Sequence, residues 1–286
     1  MLPADLRAAL LLLPAAVLTL TACTSTPPAA SRPESAREVR RIDPPNLDAA
    51  HLGERILCHR PMRHGSPNLS VEQVGRQTIA HDYGHGGSGW TLAPGSVKHV
   101  VDLAERTPQV ASRGKDEPVA VVGAGVIGLF TAYELVQRGY TRVTVVAERF
   151  DRLTSHIAGG LLAPVSMDND PAMQALIDRI GIDAYRFYAA VARGEIAEFR
   201  DGAVVVPAYF ERREDSGLEP YVGVVMEPAK DVTLDFGNGT RRTPLLSLGD
   251  EGVGIEIGAA QRNEQFADSQ LARIDTDARV IAIFAM

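Results

Sequence analysis

Apolar residues recur along the chain with two spacings, one typical of helices and one typical of strands. Helical spacing occurs in three segments: 96–106, 127–138 and 171–193. Apolar runs or alternation predict strands in five others: 56–58, 78–80, 118–122, 142–147 and 232–236. Gly-Asn-Gly at 237–239 follows the last of these and favours a hairpin turn. The pattern therefore predicts a mixed chain of helices and strands, and it contains no internal repeat.

The most clearly defined unit is a strand, a glycine turn, a helix and a second strand. The turn at 123–128 has the sequence G-A-G-V-I-G, and Gly139 is well placed to cap the helix that follows it. Such a βαβ unit belongs to parallel α/β sheets. The last third of the chain has a mixed α+β pattern. The predicted fold class is therefore α/β, with a Rossmann-type domain and a smaller mixed α+β domain.

The N-terminus has the features of a targeting segment, which is set aside before fold assignment. After Arg7, residues 8–20 are almost wholly apolar, and they are too short to cross a bilayer comfortably. They lead into Leu-Thr-Ala-Cys, which indicates a bacterial lipoprotein signal with Cys23 as the acylated residue. The alternative is an ordinary signal peptide with an incidental cysteine. Thr24 follows the cysteine and favours the outer membrane, so the predicted location is the periplasmic face of the cell envelope.

The segments between the predicted elements divide the chain further. We expect the following organisation: a signal peptide at 1–23, a flexible tether at 24–53, a ligand-binding segment at 54–106, a linker at 107–117, the βαβ unit and its continuation at 118–165, and a further segment at 166–286. The tether and the linker are assigned because both are rich in polar residues, with proline or glycine.

Charge and composition exclude some partners. The net charge is −7, and no long basic run offsets it, which argues against nucleic acid as a partner. Hydrophobic residues make up 45% of the chain and charged residues 23%, as in ordinary globular domains. With only two cysteines, a multi-cysteine metal site is ruled out, and no metal is expected. Cys58 follows two apolar residues, so we expect a buried thiol.

The glycine turn predicts a dinucleotide site, because it lies between a strand and a helix. Gly123 permits the sharp turn, Gly125 lets the backbone approach a pyrophosphate, and Gly128 lets the helix pack against the strand. Ala124, Val126 and Ile127 complete the predicted binding turn. Glu148 follows Gly123 by 25 positions, close to the spacing of roughly 20 for an acid that binds ribose hydroxyls. The alternative is a tight turn without a ligand.

The stretch after Glu148 favours FAD over NAD. It begins with Arg149 and includes Thr154-Ser155 and Gly159-Gly160-Leu161. This run resembles the D-amino-acid oxidase family, in which the same segment wraps the ribose, pyrophosphate and flavin of FAD. The resemblance implies that Arg149, Thr154, Ser155, Gly159, Gly160 and Leu161 belong to the cofactor site.

Two further motifs resemble the same family. Residues 58–63 read C-H-R-P-M-R, and residues 81–91 read H-D-Y-G-H-G-G-S-G-W-T, against R-P-x-R and N-Y-G-H-G-G-x-G-x-T in the family. The resemblance implies that Arg60 pairs with the substrate carboxylate and that the Gly87 carbonyl accepts the substrate amine. It places these residues against the flavin: Gly86, Ser88, Gly89, Trp90 and Thr91. Arg63 is expected to face away from Arg60 on an extended strand. Asp82 replaces the usual asparagine, which puts one hydrogen bond in doubt.

The order of the motifs departs from the family. There, the glycine turn opens the chain and the other two motifs close it, so we expect a circular permutation with residues 107–117 as the new connection. After Arg279 the chain ends on an apolar run, where the family continues with a further cofactor-binding strand and a substrate-domain segment. We therefore expect an uncovered edge strand there and an incomplete substrate-domain segment over 166–286. The family's tyrosine that shares the substrate carboxylate has no clear counterpart, and Tyr209 and Tyr221 are candidates by type alone.

The resemblance implies an FAD-dependent oxidase of D-amino acids. Hydride would pass from the substrate Cα to flavin N5, and molecular oxygen would reoxidise the flavin to give peroxide. Two alternatives stay open: a degenerate, non-catalytic FAD-binding lipoprotein, and an oxidase of glycine or N-methyl amino acids. The expected partners are a small amino acid, oxygen, and a membrane through the lipid anchor.

Overall fold

The computed structural model describes residues 38–44, 46–57, 59–158, 162–164, 167–199, 202–210, 217–239, 241–247, 254–255 and 281–284, the last three ranges by their backbone. These residues lie in a unit that spans Glu38–Met286. The predicted signal peptide lies outside the described residues, as do five residues with predicted roles: Cys23, Cys58, Gly159, Gly160 and Leu161.

The described residues alternate between strands and helices. The strands are β1 (Glu38–Arg41), β2 (Asn68–Val74), β3 (Gln77–Tyr83), β4 (Val119–Val122), β5 (Val143–Val146), β6 (Val205–Val206), β7 (Tyr209–Phe210), β8 (Lys230–Asp235), β9 (Arg241–Ser247), β10 (Gly254–Ile255) and β11 (Ile281–Phe284). The helices are α1 (Gly89–Glu105), α2 (Pro108–Ala111), α3 (Val126–Gln137), α4 (Thr154–Ile157) and α5 (Pro171–Ala192). The predicted mixed α/β class is confirmed.

A five-stranded sheet carries the glycine turn. Its order is β2-β3-β11-β4-β5, and the pairs from β3 to β5 are parallel, whereas β2 pairs antiparallel with β3. The expectation of an uncovered edge strand at the end of the chain is therefore wrong. Residues 281–284 form a central strand, with Ile283 aligned to Ala80 on one side and Val121 on the other. A continuous apolar run suits a central strand of a parallel sheet, because both faces of such a strand are usually covered.

A second sheet of four strands has the order β1-β8-β9-β7. Strand β1 pairs in parallel with β8, so that Glu38 is aligned with Val232 and Arg41 with Asp235. The prediction of a flexible tether over 24–53 therefore has to be corrected for residues 38–41, which are held in this sheet. The hairpin predicted around 237–239 is present, since β8 and β9 run antiparallel. Strands β6 and β10 form a separate antiparallel pair.

Helix α1 is the centre of the hydrophobic core. Its buried residues recur at helical spacing, including Leu92, Val97, Val100 and Val101. It packs against β3, α3 and α5. Gly95 lets α1 approach α5 closely, since a Cβ at this position would lie 2.0 Å from the Ile180 carbonyl oxygen. Segments that are distant in sequence therefore share one core.

Two further expectations differ from the structure. The strand predicted at 56–58 is wrong for its described residues, because Ile56 and Leu57 are irregular and exposed, at 45% and 87%. A short apolar run forms a strand only where a partner strand is available. The linker at 107–117 contains the short helix α2, which Thr107 caps and Val110 anchors in the core.

Among the described helices, none combines the length and the apolar character that a membrane crossing requires.

Candidate functional site

The glycine turn lies at the carboxyl end of β4. The N–H of Gly123 donates to the Val146 carbonyl at 2.7 Å, which closes the turn against the end of β5. Gly123 has φ +114°, a conformation that strains any residue with a side chain. Helix α3 begins at Val126, so its first amides point out of the turn without helical acceptors. The turn therefore has the geometry of an anion site.

Ser155 lies directly over this turn. Its Oγ accepts a hydrogen bond from the Val126 N–H at 3.0 Å. A Cβ on Gly125 would lie 3.3 Å from the same oxygen, a tight contact that glycine at position 125 avoids. A phosphate oxygen, like this hydroxyl oxygen, needs an N–H donor and space close to the backbone. The residues present thus fit a pyrophosphate.

Glu148 and Arg149 lie just beyond the end of β5, and both side chains are exposed. The carboxyl ends of parallel strands face the crevice in which open α/β sheets bind their ligands. A carboxylate there can accept hydrogen bonds from ribose hydroxyls, which carry the donors that it requires. The position of Glu148 thus fits the adenosine half of a dinucleotide.

A second glycine loop follows β3. Three of its glycines, Gly84, Gly86 and Gly87, have φ values of +87°, +60° and +104°. The Gly86 N–H donates to the Pro61 carbonyl at 3.1 Å, and Met62 forms an isolated antiparallel bridge with His85. The R-P-x-R segment and the glycine loop, which the resemblance pairs, are therefore neighbours.

Arg60 lies against the backbone of Gly87. A Cβ on Gly87 would lie 2.2 Å from Arg60 Nε, so only glycine leaves room for this guanidinium. Arg63 takes a different course, since its aliphatic stem packs against Gly84 and its Nη1 donates to the Ser66 carbonyl at 2.6 Å. Both arginines are exposed, but Arg63 is held within its own loop and Arg60 lies on the glycine loop.

Hydrogen bonds join the second glycine loop to the segment after β5. Ser88 and Thr91 both donate their hydroxyls to the Ala163 carbonyl, at 3.4 and 3.2 Å. The Trp90 indole N–H donates to the Ser155 carbonyl at 3.0 Å. The Thr154 hydroxyl donates to the His59 carbonyl at 3.4 Å. These bonds bring the second glycine loop and the R-P-x-R segment together with the segment after β5.

A histidine and a carboxylate lie close together at the start of this loop. His85 Nε2 is 3.2 Å from Asp82 Oδ1, and each side chain is only 1% exposed. The geometry of this contact does not satisfy a hydrogen bond, and neither carboxylate oxygen has a hydrogen-bond partner among the described residues. Asp82 is the position at which the sequence departs from the family motif, and it lies on β3, just before the glycines of the loop.

Sequence reasoning missed Tyr188, which donates its hydroxyl to the Trp90 carbonyl at 2.5 Å. Its signal in the sequence is weak, because a tyrosine on the apolar face of a helix is usually a core residue. The two tyrosines considered as carboxylate ligands have other surroundings: Tyr221 is buried against Gly181 of α5, and Tyr209 lies beside Arg40.

Within the described part of the chain, no group of three or more histidine, cysteine or carboxylate side chains could hold a metal ion.

Comparison with known proteins gives a match to one family model and matches to curated proteins. Residues 118–234 match the model of the family DAO, described as FAD dependent oxidoreductase. The bifunctional protein ThiO/ThiG of Trichormus variabilis (strain ATCC 29413 / PCC 7937) is 44% identical over 59 residues, which cover 20% of this chain and 9% of that protein. The chain thus spans less than a tenth of that relative. No solved structure matches the chain.

Proposed function

We propose that the chain is an FAD-dependent oxidase of D-amino acids, since residues 118–234 match the model of the FAD dependent oxidoreductase family. The family and its cofactor agree with the sequence prediction, which is confirmed to that extent. The choice of D-amino acids as the substrates is the proposal. It rests on the residues that face the second glycine loop.

The observation that carries the proposal is the contact between Arg60 and Gly87. A guanidinium is planar and donates two parallel hydrogen bonds, which suits a carboxylate. The Gly87 carbonyl would accept a hydrogen bond from the substrate amine. The two groups together would hold an α-amino acid by both of its charged ends. FAD, when bound, supplies the acceptor for the hydride that leaves Cα.

The residues that would hold FAD divide by the part of the cofactor that they suit. The turn at 123–128 and the hydroxyl of Ser155 suit the pyrophosphate, and Glu148 suits the ribose. The loop at 86–91 would lie against the flavin, since its glycines admit a flat ring close to the backbone. The Rossmann-type domain of the proposal is the five-stranded sheet, and the smaller substrate domain is the four-stranded sheet.

The order of these segments supports a circular permutation relative to the family. Strand β3, the second glycine loop and α1 precede β4 in the chain, yet β3 joins the same sheet as β4 through β11. Residues 107–117 would be the connection that the permutation created. The proposal is consistent with the anchoring of this connection at Val110.

The test is a flavin absorbance spectrum of the purified protein, followed by anaerobic mixing with D-amino acids, with glycine and with N-methyl amino acids. We expect bound, non-covalent FAD whose absorbance is bleached by D-amino acids and restored by oxygen with release of peroxide. Bleaching by glycine or N-methyl amino acids instead would contradict the substrate assignment alone. A protein that binds FAD and is bleached by none of the three would be a non-catalytic flavoprotein. A protein that binds no FAD would overturn the proposal as a whole.

We also propose that the protein is held at the periplasmic face of the cell envelope through acylated Cys23. The Leu-Thr-Ala-Cys sequence after the apolar stretch supports this proposal. Each CH₂ of an acyl chain that enters the bilayer contributes about 0.8 kcal/mol, so two or more chains hold a domain firmly. Oxygen and a small amino acid are partners that a protein in this location can reach.

A further inference from the structure

Helix α1 contains a proline close to the cofactor site. Pro94 has no N–H, so the helical hydrogen bond that residue 94 would donate to the Trp90 carbonyl is absent. The Trp90 carbonyl is partly buried, and a donor from another element can take the place of the helical one. Trp90 also belongs to the loop that would face the flavin. The donor for its carbonyl therefore bears on the geometry of the site.

Tyr188 of α5 supplies this donor. Its hydroxyl lies 2.5 Å from the Trp90 carbonyl oxygen, although the two residues are 98 positions apart. Only 3% of Tyr188 is exposed, and its ring packs edge-on against Phe130 and Phe187. Burial raises the pKa of Tyr188 well above its ordinary value, so the phenol stays protonated and remains a donor.

The bond from Tyr188 is the first of a continuous series. From the Trp90 carbonyl the series passes through the indole N–H to the Ser155 carbonyl at 3.0 Å. From Ser155 it passes through Oγ to the Val126 N–H at 3.0 Å. Three hydrogen bonds thus connect α5 to the flavin-facing loop, then to the segment after β5, and finally to the first amide of α3.

We propose that Tyr188 is a positioning residue of the cofactor site: it replaces the helical donor that Pro94 removes and thereby sets the spacing between the flavin-facing loop and the glycine turn. The inference rests on the proposed function in so far as both require FAD to lie between these segments. Tyr188 itself need not touch the cofactor. Its effect passes through Trp90 and Ser155.

The first experiment measures FAD affinity in the Tyr188→Phe variant, which loses only the hydroxyl. Trp90 is the only tryptophan of the chain, so its fluorescence reports on the loop as FAD is added. The variant loses one hydrogen bond, and the Trp90 carbonyl loses this donor. We therefore expect the dissociation constant for FAD to rise about 3- to 10-fold. The fluorescence of the variant without FAD should differ from that of the wild type.

The second experiment adds Pro94→Ala to Tyr188→Phe. Alanine restores an N–H at position 94, which can donate to the Trp90 carbonyl as in an ordinary helix. We expect the double variant to recover most of the wild-type FAD affinity, whereas Pro94→Ala alone should change little. A role of Tyr188 in packing alone would not respond to a donor supplied from the helix backbone. The matched control is Tyr221→Phe, which removes a buried hydroxyl that has no hydrogen-bond partner among the described residues.

The outcomes separate the two proposals. Restored affinity in the double variant, with unchanged affinity in Tyr221→Phe, supports the positioning role. Unchanged affinity in Tyr188→Phe, or a double variant as weak as the single one, overturns it and leaves the proposed function intact. If Tyr188→Phe fails to fold, a soluble double variant still supports the role, and an insoluble one overturns it. Wild-type protein that binds no FAD would overturn both.

Discussion

Two glycines of the second loop leave space for two nearby arginine side chains. Arg60 lies against Gly87, and Arg63 lies against Gly84. The expectation that the two side chains diverge rested on an extended strand, but apart from the bridge at Met62 this segment is irregular. The divergence has a different origin. The Arg60 guanidinium lies in the space that Gly87 leaves, whereas only the aliphatic stem of Arg63 lies against Gly84 and its guanidinium donates to the Ser66 carbonyl.

The different surroundings of the two arginines lead to a prediction at the residue scale. Arg60→Leu should keep FAD bound but lower turnover of a D-amino acid about 150-fold, which corresponds to about 3 kcal/mol of lost carboxylate binding. Arg60→Lys should retain only part of the wild-type turnover, because an ammonium lacks the planar, two-pronged geometry of a guanidinium. Steady-state kinetics with a flavin-content measurement checks both. Arg63→Leu is the control and should be tolerated far better. Normal kinetics in Arg60→Leu would contradict the assignment.

At the scale of elements, the close approach of α1 and α5 depends on Gly95. A Cβ there would meet the Ile180 carbonyl at 2.0 Å, and a backbone atom cannot turn aside as a side chain can. We expect Gly95→Ala to lower the free energy of unfolding by about 1–3 kcal/mol, the usual effect of overpacking. Denaturant unfolding measures this change. Gly53→Ala is the control, because nothing lies within 4 Å of its Cβ, and it should be neutral.

Helices α1 and α3 are also joined by ion pairs around Arg138, which lies 2.7 Å from Asp102 and 2.6 Å from Glu105. Burial raises the pKa of both carboxyls, but hydrogen bonds from lysine side chains and from Arg138 outweigh it and lower both pKa values overall. A carboxyl whose pKa is lower in the folded state stabilises the fold above its unfolded pKa. This stabilisation is lost as the pH falls through the folded pKa.

The ion pairs therefore predict a pH-dependent effect of Arg138→Met. Near pH 7 we expect the variant to be less stable than the wild type by roughly 1 kcal/mol, since the pairs are partly exposed to solvent. The difference should shrink as the pH falls below the ordinary carboxyl values of 3.8 and 4.5. Thermal unfolding from pH 7 to about pH 3 measures it. A difference that stays constant with pH would mean that Arg138 contributes by packing rather than by charge.

At the scale of the whole molecule, β11 joins two strands from the first half of the chain to its last residues. It pairs with β3 on one side and β4 on the other, so its removal leaves two sheet edges without partners. We expect a chain that ends at residue 280 to aggregate and to lose FAD binding. Size-exclusion chromatography and flavin content measure both. A synthetic peptide of residues 281–286 should restore some binding where a scrambled peptide does not. A monomeric, fully flavinated truncated chain would contradict the central placement.

The proposed lipid anchor is also a property of the whole molecule. We expect Cys23→Ser to abolish acylation and to move the protein from the membrane fraction to the soluble fraction. Fractionation of cells and mass spectrometry of the N-terminal peptide measure the two effects. Acyl chains on the variant would contradict the proposal, and so would a wild-type protein that carries none.

The sequence by itself determined the features that depend on neighbouring residues. The βαβ unit, the sharp turn at Gly123 and the cap at Gly139 follow from local spacing and from the positive φ that glycine permits, and the structure contains all three. A dinucleotide site was also predictable, because a strand, a glycine turn, a helix and Glu148 follow one another within a short stretch, and the family resemblance of the run after Glu148 implied FAD. Such signals survive in the sequence because the residues that interact are close along the chain.

Only the tertiary structure decided which distant segments meet. The sequence pattern placed a strand at the end of the chain on the edge of a sheet, whereas β11 lies at the centre. It also placed β1 in a tether, and it offered no reason to connect Tyr188 with Trp90. The physical reason is common to the three cases. A strand edge or a carbonyl needs a partner of complementary hydrogen-bonding capacity, and the overall packing, rather than proximity along the chain, determines which partner comes within reach.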